Sequence, residues 1–454
     1  MIMNWIENFS KRATRYMSQL EHGRVYPSQS DVDKLKSLRA PLQDEPLNVE
    51  EVLEELDVTG SPATVRTTGG RYFGFVIGGS LPAAMSAKLM SAIWDQNAGL
   101  SVMSPIASTL EEISSEWLLD LFGLPSNCAT GFVTGDTMAN FSGLAAARHH
   151  LLKLNNWNAE EDGLFGAPEI TVITSEEVHV SVLKALNMLG MGRSRIVKVP
   201  VDSQGRMIAS RVPKIDGPAI ICVQAGNVNS GSFDPIGEIC ERNKSDQTWV
   251  HVDGAFGMWA AVSNEKKYLA KGIELADSWA TDAHKWLNVP YDCGLVFVKR
   301  KESLFNAMSA SASYLQEISI REPYQFTPEM SREARGIPVW AALRSLGKKG
   351  LNDLIERNCN QAKKIASALE KAGFQILNDV VLNQVMVSFG SPEETNQIMK
   401  NIQEEGTCWC GGTVWQGKTA MRISVSSWAT TDKDVEKSIA AILKVAKKYQ
   451  VLST

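Results

Sequence analysis

The hydrophobic pattern changes style twice along the chain. Residues 1–65 are polar, with apolar positions recurring at helical spacing and few strand signals. From about 66 to 345, short apolar runs alternate with amphipathic stretches: GFVTG (131–135), ITVITS (170–175), RIVKVPV (195–201), AIICVQAG (219–226), TWVHVDGAF (248–256) and GLVFVKR (294–300). Runs this short, β-branched and nearly unbroken read as strands covered on both faces. Between them, TMANFSGLAAARHHLLKL and the stretch after His179 carry helical periodicity. Strands alternating with helices predict an α/β domain built on a mostly parallel sheet.

Beyond about 346 the pattern becomes α+β. A long amphipathic helix is predicted over 347–372, stopping at Gly373 as a left-handed cap. A strand (QVMVSFG) follows, then a helix opening at Ser391-Pro392. RISVSSW is another strand, and Thr431, with Asp434 three residues on, opens a final helix. The expected organisation is an N-terminal helical segment (1–65), a large domain (66–345) and a small C-terminal domain (346–454).

Composition narrows the function. A hydrophobic fraction of 44 % in 454 residues is enough for a large core. A net charge of −5 offers no basic field for nucleic acid and no polybasic membrane patch. No apolar run reaches the ~18 residues of a membrane span. The start, MIMNWIENFSKRATRYMSQL, is broken by charges where a signal peptide needs an apolar stretch. The seven cysteines are dispersed, and Cys408-Trp409-Cys410 has no second pair at zinc spacing, so neither a disulfide framework nor a metal site is expected. A reducing cytoplasm is the expected location.

In open parallel sheets, ligands bind beyond the carboxyl ends of the strands, so the polar residues just after each predicted strand are the candidates. Gly135 turns the chain into a helix opened by Asp136-Thr137, whose free N–H groups suit a phosphate; the same turn also reads as a plain connection. Asp253 ends a buried strand, where a carboxylate needs a positive partner such as a protonated pyridine nitrogen, or else caps the next loop. Lys285, in Asp282-Ala283-His284-Lys285-Trp286, sits beside an imidazole and an indole that suit an imine-forming amine, although a surface lysine fits too. His179 follows a strand at a helix start, placed to stack on a ring or to make an ordinary hydrogen bond. Together they supply a phosphate cradle, a ring face, a counter-ion for a ring nitrogen and an amine. Pyridoxal 5′-phosphate needs that set.

The chain resembles the group II pyridoxal-phosphate-dependent amino-acid decarboxylases, which include aromatic-L-amino-acid and glutamate decarboxylases. The resemblance rests on RYFGFVIGGSLPAA (71–84), TGDTMAN (134–140), SEEVHVSVLKA (175–185), HVDGAFG (251–257), ADSWATDAHKWLNVPYDCG (276–294), TPEMSREARGIPVWAALRSLG (327–347) and TAMRISVSSWATT (419–431). It implies a fold type I architecture with a seven-stranded sheet, obligate homodimers with sites at the subunit boundary, and removal of carbon dioxide from an amino acid. It implies that Lys285 carries the cofactor as an imine. Asp253 would keep the pyridine nitrogen protonated, and Ala255 and His179 would lie on opposite ring faces. Gly135, Asp136 and Thr137 would hold the phosphate, Asp282 and His284 would complete the pocket, and Asn227 would lie near the ring oxygen. Arg422 is a candidate for the substrate carboxylate, with a structural arginine as the other reading.

Two departures from the family pattern bear on the chemistry. Asp136 stands where the family commonly has Gly or Ala. A negative group beside a phosphate dianion is unfavourable, so its side chain is expected to turn away and cap the helix. The second departure lies in the mobile loop before TPEMSREARG, where aromatic decarboxylases present a protonating Tyr. The matching position here is Glu322, with Tyr324 two residues on as the candidate substitute. That leaves aldehyde-forming oxidative decarboxylation–deamination, or retro-aldol cleavage, as the alternative reaction. Phe73 and Trp94 are expected to line a pocket for an aromatic or large apolar side chain. The N-terminal helices and MSAIWDQNAGLSVMSP (90–105) suit burial between two copies of the chain.

Overall fold

The structure, a computed structural model, describes residues 2–309 and 321–453. Part of the expected mobile loop, 310–320, lies outside the described residues. Two compact units share the chain: residues 78–360 with 378–384, and residues 1–77 with 361–377 and 385–454.

The larger unit is built on seven strands: β1 (Ala129–Val133), β2 (Thr171–Ser175), β3 (Val197–Val199), β4 (Ala219–Gln224), β5 (Thr248–Asp253), β6 (Ser278–Asp282) and β7 (Gly294–Val298). They lie in the order β1-β7-β6-β5-β4-β2-β3. Pairing is parallel from β3 through β2, β4 and β5 to β6, and only β7 runs against its neighbours, β6 and β1. The carboxyl ends of β1, β2, β4, β5 and β6 therefore open on the same edge. Strands β1, β4, β6 and β7 are buried at every position, as their unbroken apolar runs predict.

Two helices start at that edge. Helix α1 (Asp136–Leu154) leaves β1 through Gly135, and helix α2 (Val180–Met188) follows β2 with His179 as its N-cap. Helix α1 crosses close to the sheet at Gly143, where a Cβ would come within 2.8 Å of His251 Cε1. The run 195–201 forms a strand only over Val197–Val199, because it is the sheet's edge and has one neighbour to pair with.

In the other unit a four-stranded sheet follows the order β10 (Gly411–Trp415), β11 (Lys418–Ser424), β9 (Gln384–Ser388) and β8 (Gln375–Ile376). Trp409 stacks with Tyr26, Tyr72 and Phe75, joining the N-terminal stretch to this sheet. The helix expected to begin near 347 belongs to a longer one, Gly336–Lys371, which is broken at Gly347 (φ 60°, ψ 179°).

A buried ion pair pins the segment before that helix. Arg332 donates to both carboxylate oxygens of Glu111, at 2.7 and 2.9 Å, with the two side chains 1 % and 0 % exposed. Removing one member of such a pair strands a desolvated charge, so Glu111→Ala is expected to lower stability by about 3–5 kcal/mol. Urea unfolding reads this. A loss below about 1 kcal/mol would mean the pair behaves like a solvated one.

Candidate active site

Strand β6 delivers the lysine. It ends at Asp282, and the next turn is held rigidly. Ala283 and His284 donate their N–H groups to Cys293 O (3.0 and 3.2 Å), and Cys293 N–H donates to His284 Nδ1 (3.1 Å). The buried Trp286 indole donates to Asn358 Oδ1 at 3.0 Å. Gly78 passes so near that a Cβ there would sit 1.6 Å from Lys285 O. Between these anchors the Lys285 side chain is 17 % exposed, with Nζ 2.9 Å from Asp282 Oδ2.

Asp282 bridges two features. Its Oδ2 meets the Lys285 ammonium, while Oδ1 accepts the Asp136 N–H at the head of α1 (2.7 Å) and lies 3.4 Å from His284 Nε2. Burial alone would lower the Lys285 pKa, but the attraction of the acidic side chains around it, Asp282 first, outweighs it and raises it above the ordinary value. His284 is pushed down by its burial, against the pull of Asp282, which keeps the imidazole neutral.

Asp136 does not cap its helix as expected. Gly135 holds the N-cap position without any side-chain cap bond. The Asp136 carboxyl is buried instead, 6 % exposed, because partners wait for it inside: Oδ2 accepts from Asn140 Nδ2 (2.8 Å) and Ser181 Oγ (3.1 Å). Oδ1 is buried without a hydrogen-bond partner. Behind Asn140, Oδ1 lies 2.8 Å from His251 Nε2, His251 Nδ1 lies 2.7 Å from Ser278 Oγ, and Ser278 Oγ accepts from the Trp249 indole at 2.8 Å. A helix N-terminus favours an anion by about 0.3–1 kcal/mol, whereas burying an ion costs several kcal/mol. Burial therefore wins, and with repulsion from Asp253 and Asp282 it raises the Asp136 pKa well above the carboxylate range.

The other candidates fall into two groups. Asp253 ends β5, and its Oδ1 accepts the Ala255 N–H at 3.2 Å, while Ala255 O accepts the Asp282 N–H at 2.9 Å. Asp253, Asp282 and Asp136 each act electrostatically on Lys285, so the structure brings these four together. His179 Nδ1 accepts the Ser181 N–H (3.3 Å) and lies 2.8 Å from Ser181 Oγ, one hydroxyl away from Asp136. Thr137 is half-buried in the first turn of α1. Asn227 is buried in a turn, with Oδ1 accepting from Asn229 N–H and Ser230 N–H and Nδ2 donating to Glu177.

Trp94, 43 % exposed, ends the helix Pro82–Trp94 in the large unit. Phe73 and Arg422 belong to the other unit. Phe73 is 1 % exposed, its backbone bonded to Trp409 and Ser424, and Arg422 lies half-buried on β11 opposite Gly411, its burial lowering its pKa. Glu322 is committed locally, accepting from both N–H and Oγ of Ser101 at 2.6 Å. Tyr324 is buried in the turn Pro323–Phe326, its N–H donating to Gly99 O at 3.0 Å.

Sequence reasoning missed Gly78, Asn140, Ser181 and His251. A histidine inside the apolar run TWVHV was a usable signal, since a buried imidazole needs partners for both nitrogens. Gly78 offered only the doublet Gly78-Gly79, whose reason appears when the Lys285 turn is in place.

A seven-stranded, mostly parallel sheet with this arrangement at its carboxyl edge has the architecture of fold type I pyridoxal-phosphate enzymes. Residues 33–390 match the family described as the pyridoxal-dependent decarboxylase conserved domain, and the chain belongs to that family. An aromatic-L-amino-acid decarboxylase of Bacillus atrophaeus is 26 % identical over 368 residues, covering 76 % of this chain and 74 % of the relative. An L-2,4-diaminobutyrate decarboxylase of Acinetobacter baumannii is 26 % identical over 388 residues, covering 79 % and 74 %. Among solved structures, Oryza sativa TDC with PLP and tryptamine superposes with a TM-score of 0.90 at 19 % identity, covering 98 % of each chain. The protein is thus a carboxy-lyase that uses pyridoxal phosphate.

The residues present fit that cofactor. An amine for its aldehyde, a carboxylate for its ring nitrogen and a helix N-terminus for its phosphate lie at neighbouring strand ends, and a buried oxygen of Asp136 has no protein partner.

Lys285 is the ammonium that Asp282 engages at 2.9 Å, so Lys285→Met is expected to lower the stability of the cofactor-free protein. The ammonium's raised pKa sets the sign. Its contribution is full below the unfolded lysine value of about 10.4 and fades only above it, so the loss should be the same at about pH 6 and about pH 9. Urea unfolding of both proteins at each pH checks this, and a loss that vanishes at the higher pH would contradict it.

Proposed function

We propose that this chain removes carbon dioxide from an L-amino acid, with an aromatic substrate as the first candidate, to give the corresponding amine, using a cofactor carried on Lys285. The observation that carries the reading is the Lys285 amine held 2.9 Å from Asp282 at the edge where β1, β5 and β6 end. Pyridoxal phosphate supplies the electron-withdrawing ring that takes up the electrons left when the carboxylate departs. The chain supplies the rest. Lys285 would hold the cofactor through its amine and would hold or move a proton at Nζ. Asp253 would keep a proton on the ring nitrogen by opposing its charge. His179, fixed as the N-cap of α2, presents a flat face for stacking. The rigid turn 283–287 keeps the amine from wandering, which is positional catalysis.

One observation favours a second reading. Glu322, where aromatic decarboxylases place a protonating Tyr, is locked onto Ser101. Unless Tyr324 or another acid returns the proton, an aldehyde-forming route that consumes dioxygen becomes competitive.

A homodimer is part of the proposal. The large unit leaves Met90, Ile93, Trp94, Val102 and Met103 between 43 and 78 % exposed, a run of apolar side chains that a second copy would cover. The seven cysteines are buried thiols rather than disulfides, which suits a reducing compartment such as the cytoplasm. Among the described residues no helix is long and apolar enough to cross a membrane.

Borohydride reduction followed by peptide mapping is expected to place the label on Lys285, and label elsewhere would overturn the assignment. Asp253→Asn should lower kcat by about 10²–10³-fold through the lost charge stabilisation. A panel of aromatic, acidic and dibasic amino acids, scored for carbon dioxide and amine, tests the substrate class. Amine as the main product, shifting toward aldehyde in Tyr324→Phe, would assign the proton return to Tyr324. Aldehyde from the wild type would support the second reading.

A further inference from the structure

The proposed chemistry leaves the Asp136 carboxyl without a role, yet its surroundings constrain it tightly. Oδ2 accepts from Asn140 and Ser181, so a hydrogen carried by this carboxyl belongs on Oδ1, the oxygen that is buried with no partner. The groups facing it are Asp253 from the end of β5, Asp282 and Lys285 from β6 and its turn, with His284 behind Asp282, and Ser181 from the head of α2, with His179 behind it. Asn140, backed by His251, faces it from within α1. The ammonium among them is engaged at 2.9 Å by Asp282. His251 is buried and neutral, pushed down to about 3, and supplies no positive charge.

We propose that Asp136 is an uncharged carboxylic acid in the resting protein and that it donates a hydrogen bond through Oδ1 to the phosphate of the cofactor. The proposal rests on the reading of this edge as the cofactor site. It explains how an acidic residue can stand at the head of a phosphate-binding helix, since a neutral acid is a donor and only its ionised form repels a dianion. The acid is a positioning group, and cofactor retention becomes sensitive to pH. The direction of the Asp136 shift, upward through burial and then through Asp253 and Asp282, agrees with the geometry.

Asp136→Asn reproduces the neutral acid, with one oxygen as acceptor and an N–H in place of the O–H. Two measurements compare it with the wild type. Difference infrared spectroscopy of the cofactor-free proteins near neutral pH is expected to show a protonated-carboxylic-acid carbonyl band that Asp136→Asn removes and Asp282→Asn keeps. Titration of the cofactor-free proteins with pyridoxal phosphate should give similar Kd values at the acid end of the range. With rising pH the wild-type Kd should climb relative to the variant's, by about tenfold per unit once Asp136 ionises.

A missing infrared band, or a Kd ratio that stays constant with pH, would overturn the proposal. So would an Asp136→Asn protein that binds tenfold or more weakly throughout, because the charged form would then be the one required. If the wild type forms no imine absorbance with pyridoxal phosphate at any pH, the reading of the site fails instead. The infrared band alone then decides whether Asp136 is neutral.

Discussion

The balance of charge at one edge of the sheet constrains everything else in the large unit. One lysine ammonium lies among three acidic side chains, Asp282 in contact and Asp136 and Asp253 within electrostatic reach. Such a cluster is unstable in isolation, since each buried charge needs compensation. It persists because neighbouring groups are already committed: Asp282 to Lys285 and the head of α1, Asp136 to Asn140 and Ser181, Asp253 to the Ala255 N–H. A cofactor with a cationic ring nitrogen would add a positive charge opposite Asp253.

Parallel topology makes the cluster possible. Because β1, β2, β4, β5 and β6 all run one way, residues more than a hundred positions apart arrive at a common edge, as with Asp136 N–H and Asp282 Oδ1 at 2.7 Å. The antiparallel β7 serves a different purpose. It brings Cys293 back beside the Lys285 turn, where its N–H fixes the His284 ring. Rigidity there comes from backbone bonds and the packed Trp286, and the 2.9 Å contact with Asp282 fixes where the flexible stem of Lys285 ends.

Much of this was legible in the sequence because strand and helix periods differ and because chemistry in such sheets gathers at strand ends. Six of the seven strands, the turn at Gly135, and Asp253 and His179 as strand-end residues came from local pattern. The count of seven followed from the family resemblance, because β6 (Ser278–Asp282), which delivers Lys285, did not come from local pattern. Strand order did not, since GLVFVKR (294–300) has the composition of its parallel neighbours and nothing in it marks β7 as reversed. Asp136 was misread as a cap because local rules see a helix start, whereas its burial is decided by Asn140 one turn on and by Ser181 some forty residues away. Glu322 reads as a displaced catalytic position until its non-local partner, Ser101, is in view.

The hydrogen bonds behind Asp136 can run in one consistent direction. An indole N–H can only donate, so Ser278 Oγ accepts from Trp249, and with Asn140 Oδ1 turned to His251 Nε2 the Ser278 hydrogen goes to His251 Nδ1. Neutral His251 then carries its hydrogen on Nε2, which donates to Asn140 Oδ1 and turns the amide Nδ2 toward Asp136. The amide orientation thus agrees with a chain of bonds that begins at a tryptophan buried in β5. Asn140 meets Asp136 as a donor, and a change at Ser278 or His251 reaches Asp136 through hydrogen direction without touching it. A sheet interior that carried only apolar side chains would transmit no such instruction, which is a physical reason for a histidine in the middle of an otherwise apolar strand.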